Sequence, residues 1–332
     1  MKYFVGIDLG TTNSAISTFD GENIRVWKTK AQMDVMPSAI YVDKRGKRFY
    51  GSKAYENSFR QPDSCAKLFK RFMGTSTKFK LGGEELTPEE CSAEILRELF
   101  KNLPEEIREN RDEVGTVITV PAAFNQMQNA ATLDAAKMAG FGKVALMQEP
   151  VAAIMRVMKD NQSDGNFLVF DFGGGTLDVA IAERTSGKVN FLANGGLTMC
   201  GGRDFDRIIL NEFIVPWLEE NFSLSEGWRE RKEYKTFLSV ATYMAEKAKI
   251  ELSVDKQVKV DADLEIEVED EEGKEIYLDL EITREDYDAA IADILTKAMG
   301  TARATIEKSG LAASDIDKII FIGGPTNYKT LL

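Results

Sequence analysis

A chain of 332 residues with 54 acidic against 42 basic side chains is long for one core and net acidic. Two lobes of roughly 150 residues are expected, and the acidity argues against nucleic acid as a partner, because phosphate-backbone binding needs clustered cations. The chain has no histidine, which removes the Ser-His-Asp triad, the Cys-His dyad, His-ligated zinc and histidine general bases together.

Taken in order, residues 4–16 read as an apolar strand that ends in Asp8, turns through Gly10, Thr11, Thr12 and Asn13, and returns as a second strand. Asp20-Gly21 is a turn signal, and Ile24 to Trp27 is expected to continue the sheet. Residues 37–111 read as an inserted segment of strands and helices, with a helix-patterned stretch from Glu89 to Leu99. A polar connector follows near Pro104 to Glu113, then a β-branched buried strand from Val114 to Val120. Asn125 is placed to cap an alanine-rich helix running to about Ala139 and broken by Gly140. Strand Val144 to Met147 leads into Glu149-Pro150 and another helix, so β and α elements alternate in an α/β layer architecture.

The second half repeats this logic. Residues 167–183 form a hairpin of the same plan, with Asp171 in the place of Asp8 and Gly173, Gly174, Gly175 and Thr176 in the turn. A continuing strand, the turn Cys200-Gly201-Gly202 and a helix from Asp204 to about Glu219 come next. Leu264 to Glu269 alternates strictly, as do Ile276, Leu278, Leu280 and Ile282 after the turn at Glu272-Gly273, which predicts a two-stranded unit with one acidic, solvated face. A helix from about Arg284 to Ser309, a strand from Lys318 to Ile322, and Gly323-Gly324-Pro325-Thr326 close the chain.

A strand that ends in a carboxylate and enters a Gly/Thr-rich turn aims backbone N–H groups and hydroxyls at one spot. That arrangement suits a polyphosphate, and the carboxylate suits the metal beside it. Two such hairpins facing each other are expected to grip one nucleotide between two lobes. Singly these signals are weak, since an Asp after a strand is more often a cap or turn former; their order makes them strong. The sequence resembles the actin-fold ATPases, and is closely similar to the seventy-kilodalton heat-shock (DnaK-type) chaperone family. The matching segments are GIDLGTTNS at 6–14, KRFMG at 70–74, VITVPAAFN at 117–125, EPVAA at 149–153, DFGGGTLDV at 171–179, CGGRDFD at 200–206, AEKAKIELS at 245–253 and IGGPTN at 322–327.

The resemblance implies an α/β fold of two actin-like (ribonuclease-H-like) lobes, each a core mixed sheet flanked by helices and carrying an inserted subdomain. Lobe I is expected over 1–165 with its insertion at about 37–111, and lobe II over 166–332 with its insertion at about 202–284. It covers the nucleotide-binding half of the family only, without the substrate-binding domain, and the family's domain runs on for a few dozen residues, so a truncated chain is expected. By resemblance the ligands are ATP or ADP with Mg²⁺, and K⁺ as a further ion. Asp8 and Asp171 would hold Mg²⁺ through its waters, and Glu149 would partner the metal waters and the attacking water. Gly10, Thr11, Thr12 and Asn13 would line the phosphates from one lobe, and Gly173, Gly174, Gly175 and Thr176, with Gly201 and Gly202, from the other. Lys70, on spacing alone one lysine in a basic helix, becomes the γ-phosphate cation. Glu246, Lys249 and Ser253 share one helix face. On residue chemistry alone Glu246 and Lys249 read as an exposed salt bridge; in the family these positions contact adenosine, and Gly323 and Gly324 let backbone approach base and ribose.

The chain also departs from the family. Pro325 and Asn327 stand where it usually has Ser and an adenine-stacking Arg, a loss of cation–π contact worth about 0.5–2 kcal/mol and about an order of magnitude in affinity. Asn129 and Ala145 replace two arginines used in lobe-to-substrate-domain communication and J-domain docking, which puts conventional J-domain coupling in question. The expected function is Mg-dependent ATP hydrolysis driving a chaperone-type conformational switch, with client proteins and a nucleotide-exchange factor as partners. The rival readings are an actin-like filament protein, a non-hydrolysing nucleotide-dependent scaffold, and a small-molecule kinase on the same fold. Cys65, Cys91 and Cys200, odd in number and without a CxxC pair, point to reduced, buried thiols. With an N-terminus that enters its first strand at once and no membrane-length apolar run, the expectation is a soluble, cytoplasmic protein.

Overall fold

The computed structural model describes residues 3–160, 163–262 and 267–331. The chain divides into two compact units, Met1–Ser163 and Asp164–Leu332.

Unit 1 opens with the hairpin β1 (Tyr3–Asp8) and β2 (Asn13–Phe19), followed by β3 (Ile24–Val26) and the short β4 (Met36–Pro37). Between β2 and β3 the Asp20 carboxylate accepts from the amides of Glu22 and Asn23 at 2.9 and 2.7 Å, which closes the turn. A three-stranded sheet of β5 (Ala39–Val42), β6 (Arg48–Tyr50) and β7 (Cys65–Lys67) carries α1 (Ser52–Arg60), and β8 (Phe79–Leu81) pairs with β9 (Glu84–Leu86). Next comes α2 (Pro88–Phe100), whose N-terminus is a reciprocal capping box between Thr87 and Glu90. The expected polar connector is instead a short helix, α3 (Glu105–Glu109), and one 3₁₀ turn, Arg111–Glu113. The segment is polar because its outer face is solvated, while Ile107 is buried.

After these come β10 (Val114–Val120), α4 (Gln126–Met138), β11 (Lys143–Gln148) and α5 (Glu149–Asp160). Asn125 caps α4 by accepting from the Gln128 amide at 3.0 Å, and Gly140, at φ 88°, follows its end. The main sheet runs β11-β10-β1-β2-β3, with β10 parallel to both β1 and β11. Val5, Ile7 and Ile118 alternate into one face and bury against Ile95, Leu99, Ala131 and Ala135 of the helices.

Unit 2 repeats the plan with β12 (Gly165–Phe172), β13 (Thr176–Thr185) and β14 (Lys188–Thr198). A helical run then begins as α6 (Gly202–Ile208), widens to π-type winding over Ile209–Ile214, and continues as α7 (Val215–Asn221). The long α8 (Lys232–Leu252), β15 (Gln257–Ala262), β16 (Leu278–Thr283), α9 (Arg284–Ser309) and β17 (Lys318–Ile322) complete the unit. Its main sheet runs β14-β13-β12-β17, with β17 parallel to β12. Phe170, Phe172, Phe205 and Tyr287 form a buried edge-to-face aromatic chain. Thr283 caps α9 and Gly310, at φ 80°, ends it.

The strand expected over Leu264 to Glu269 is paired across the expected turn where it is described, the Ile276 amide donating to the Val268 carbonyl at 2.8 Å. The partner of β16 is β15, residues 257–262, which alternates equally well and buries Val258 and Val260. Of the expected strand, residues 264–266 lie outside the described residues, and Glu269 bridges Glu275 around a turn tied by the Asp270 carboxylate. Among the thiols Cys91 and Cys200 are buried but Cys65 is half-buried, and all three are free. Burial pushes them up to about 12, 11 and 11 respectively, so each is a protonated, unreactive thiol at neutral pH. No helix among the described residues is long and apolar enough to cross a membrane.

Candidate functional site

In unit 1 the register of the sheet sets the first carboxylate. Asp8 ends β1 level with Thr119 of β10, whose hydroxyl donates to Asp8 Oδ1 at 2.9 Å. Lys70 sits in a 3₁₀ turn, Phe69–Phe72, entered through a left-handed Leu68 at φ 62°, not in the helix its neighbours suggested. The lysine is only 4 % exposed, and its ammonium donates to Glu149 Oε1 at 2.8 Å, with the Phe124 ring 5.6 Å away. Glu149 opens α5 directly after β11. The Asp8 carboxylate reaches solvent, yet the protein packed around it, and next the charge of Glu149, push it above the usual carboxylate range, against the opposing pull of Lys70 and Thr119. Asp8, Lys70 and Glu149, far apart in sequence, thus form one interacting set.

The turn after β1 is fixed by backbone and serine. A Cβ at Gly10 would lie 1.9 Å from the Asn13 carbonyl oxygen, so only glycine fits. The Gly10 amide donates to Ser14 Oγ at 3.1 Å, Ser14 and Ser38 hydroxyls meet at 2.8 Å, and Ser38 donates to the Gly10 carbonyl at 2.8 Å. This brace holds Thr11, Thr12 and Asn13 in a tight loop. Thr12 Oγ1 is buried and has no hydrogen-bond partner. An orphaned hydroxyl beside a glycine turn suits a phosphate oxygen or a cation, since leaving it unsatisfied costs about 1–3 kcal/mol.

In unit 2, Asp171 pairs across the hairpin with Asp178 and stands level with Ile322 of β17. The Gly173 amide donates to the Thr176 carbonyl at 2.9 Å, and Gly202 and Arg203 amides donate to the carbonyls of Gly173 and Gly174 at 3.1 and 2.8 Å. Gly201 lies so close that a Cβ there would meet Gly175 N at 2.5 Å, and a Cβ at Gly323, φ 93°, would meet the Phe172 carbonyl oxygen at 2.0 Å. Lys249 joins this group. Its ammonium donates to the Gly202 carbonyl at 3.0 Å and ion-pairs with Asp206 Oδ1 at 2.6 Å. The ion pair with Asp206 is one that the sequence did not announce. Burial raises Asp206 to about 6 in spite of Lys249.

Four further expected residues lie around this group, and the charge of Glu246 acts on Asp206. Ser253 lies one residue past the end of α8 and donates to the Ile250 carbonyl at 2.6 Å. Asn327 turns its amide onto the Gly324 carbonyl at 3.0 Å, and nothing lies within 4 Å of where a Gly324 Cβ would be. Glu246 projects from α8 one turn before Lys249 and Ile250. Ser14, Ser38, Thr119 and Asp206 escaped sequence reasoning. Ser14, Thr119 and Asp206 lie inside quoted motifs and carried a signal, whereas Ser38 is 24 residues from its partner and carried none. No group of three or more Cys, Asp or Glu side chains among the described residues forms a ready metal cage.

A doubled hairpin, each copy ending in a carboxylate and a glycine turn on a mixed α/β sheet, defines an actin-like ATPase fold. A family model described as Hsp70 protein matches residues 4–81 and 76–329, and the chain belongs to that family. Membership brings ATP binding and a chaperone-type function in general.

Proposed function

We propose that this chain binds Mg·ATP and hydrolyses it, and that hydrolysis drives a conformational switch serving client proteins. The buried Lys70–Glu149 pair at 2.8 Å beside Asp8 carries the reading. A surface-lysine role does not explain an ammonium with 5 % side-chain exposure held to a carboxylate from another element. Magnesium, when bound, neutralises phosphate charge as the reaction proceeds. Lys70 presents a fixed cation to the γ-phosphate, where charge stabilisation without reorganisation is worth most. Glu149, oriented by Lys70, accepts a hydrogen from the attacking water and positions it; with no histidine, catalysis rests on positioning and charge. Asp8 and Asp171 are the carboxylates that would hold the hydrated ion.

In unit 2, Gly173, Gly174, Gly175, Thr176, Gly201, Gly202 and Lys249 hold the nucleotide, with Gly323 allowing close backbone approach. The Lys70–Glu149 pair thus supplies the chemistry, and Lys249 with its glycine turn the grip. Calorimetry with ADP, with and without Mg²⁺, tests binding, and single-turnover hydrolysis of ATP tests turnover. Well-folded protein that binds neither nucleotide overturns the proposal, and binding without turnover leaves a nucleotide-dependent scaffold in its place. A generic J-domain is expected to stimulate turnover little, since Asn129 is half-buried in α4 and Ala145 offers no charge.

A further inference from the structure

Two buried serines stand behind the turn after β1, Ser14 at 1 % exposure and Ser38 at 2 %. Ser38 comes from outside the hairpin, directly after β4, whose Met36 and Pro37 pair antiparallel with Ser14 and Asn13 of β2. A hydroxyl has one proton to give. Since Ser38 gives its own to the Gly10 carbonyl, the contact between the serines is Ser14 donating to Ser38, and Ser14 in turn accepts from the Gly10 amide. These bonds close a ring that leaves Gly10 and returns to it. The Ser38 amide also donates to the Thr12 carbonyl at 2.8 Å, so the carbonyls of Gly10 and Thr12 are both held. The amides of Thr11 and Thr12, by contrast, donate to no acceptor among the described residues, and Thr12 Oγ1 is the buried hydroxyl without a partner.

We propose that Ser38 is a positioning residue of the phosphate turn, holding the Gly10 and Thr12 carbonyls away from the ligand so that Thr11 and Thr12 present donors alone. It deepens the Mg·ATP reading above and rests on it. A carbonyl released toward a phosphate oxygen sets like partial charges against each other, so losing Ser38 weakens ligands that carry phosphate and no others. Gly10, with its amide and carbonyl both taken up in the ring, shapes the turn and leaves the phosphate contacts to its neighbours. The ring acts as one unit: cutting it at Ser14, at Ser38 or at both has the same effect.

The test measures ADP, pyrophosphate and adenosine affinities, and single-turnover hydrolysis at saturating ATP, for the parent chain, Ser38→Ala, Ser14→Ala, the double variant and Ser38→Thr. Ser92→Ala is the control, a buried serine of unit 1 whose hydroxyl donates to Met73 Sδ at 3.3 Å. Each single alanine variant is expected to weaken ADP and pyrophosphate about five- to tenfold and leave adenosine unchanged, with the double variant within about twofold of either. Ser38→Thr, which keeps the hydroxyl, is expected to retain the parent ratio of ADP to adenosine affinity. The hydrolysis rate stays within about threefold throughout, because the turn holds ground state and transition state alike. Unchanged ADP affinity in both single variants, an equal loss for adenosine, losses that add in the double variant, or a like loss in Ser92→Ala each overturn the role of Ser38 and spare the nucleotide site. A parent that binds neither ADP nor pyrophosphate overturns the nucleotide reading itself.

Discussion

In unit 1, β10 runs parallel beside β1, with β11 on its far side; in unit 2, β17 takes the same place beside β12 and is the last strand of its sheet among the described residues. Aligning Asp8 with Asp171 makes Thr116 the counterpart of Ile319 and Ile118 that of Phe321. Thr116 and Ile118 are 3 % and 0 % exposed, whereas Ile319 and Phe321 are 51 % and 40 % exposed. What surrounds the carboxylate differs too. Asp8 faces a hydroxyl, Thr119, and interacts with a buried lysine–glutamate pair, while the residue level with Asp171 is the apolar Ile322. In unit 2 the glycine turn is held by glycines packed on glycines, with Lys249 on the Gly202 carbonyl.

The largest expected effect that sharpens this contrast lies in unit 1. Lys70→Ala is expected to lower single-turnover hydrolysis about 10²–10³-fold while ADP still binds, because its charge matters most in the transition state; unchanged turnover returns Lys70 to a structural part. In unit 2, Gly323→Ala forces a Cβ onto the Phe172 carbonyl at a positive φ and is expected to cost about 2–4 kcal/mol in denaturant unfolding. A loss below about 0.5 kcal/mol would show that the turn is not rigid.

Asp206 gives a smaller, pH-dependent effect. Its folded-state pKa is raised to about 6, so its contribution to stability is full below the ordinary aspartate range and is lost as pH rises through about 6. Relative to Asp206→Asn, the parent is expected to lose about 1–3 kcal/mol between pH 4 and pH 7. Parallel stability profiles would mean that Lys249 fully compensates the burial. The smallest effect is Thr119→Val, which removes the hydroxyl on Asp8 and is expected to cost about 1 kcal/mol in Mg²⁺-dependent ADP binding, with none in Mg²⁺-free binding.

Much of the fold was legible because its signals are local. The Asn125 cap, the Gly140 stop, helix 284–309 and strand 318–322 each carry their own punctuation. Pairing was not legible where two segments alternate equally: 257–262 and 264–269 both suit β16, and packing of Val258 and Val260 selects the first. The site divides in the same way. Its turns could be read from glycine and threonine, whereas Lys70 and Glu149, 79 residues apart, are joined only by folding and were named through the family resemblance. Ser38 depends on a distant loop, which no local pattern encodes, and Thr119, though inside a quoted motif, meets Asp8 only through strand register.

The central claim is a division of labour between the two carboxylate-and-turn sets. It is tested most directly by measuring ADP affinity and the single-turnover rate at saturating ATP for Lys70→Ala and Lys249→Ala side by side. The account predicts that Lys70→Ala keeps ADP affinity within about threefold and loses the rate, whereas Lys249→Ala loses about tenfold or more in affinity and keeps the rate within about threefold. Affinity and rate falling together in both variants would contradict it.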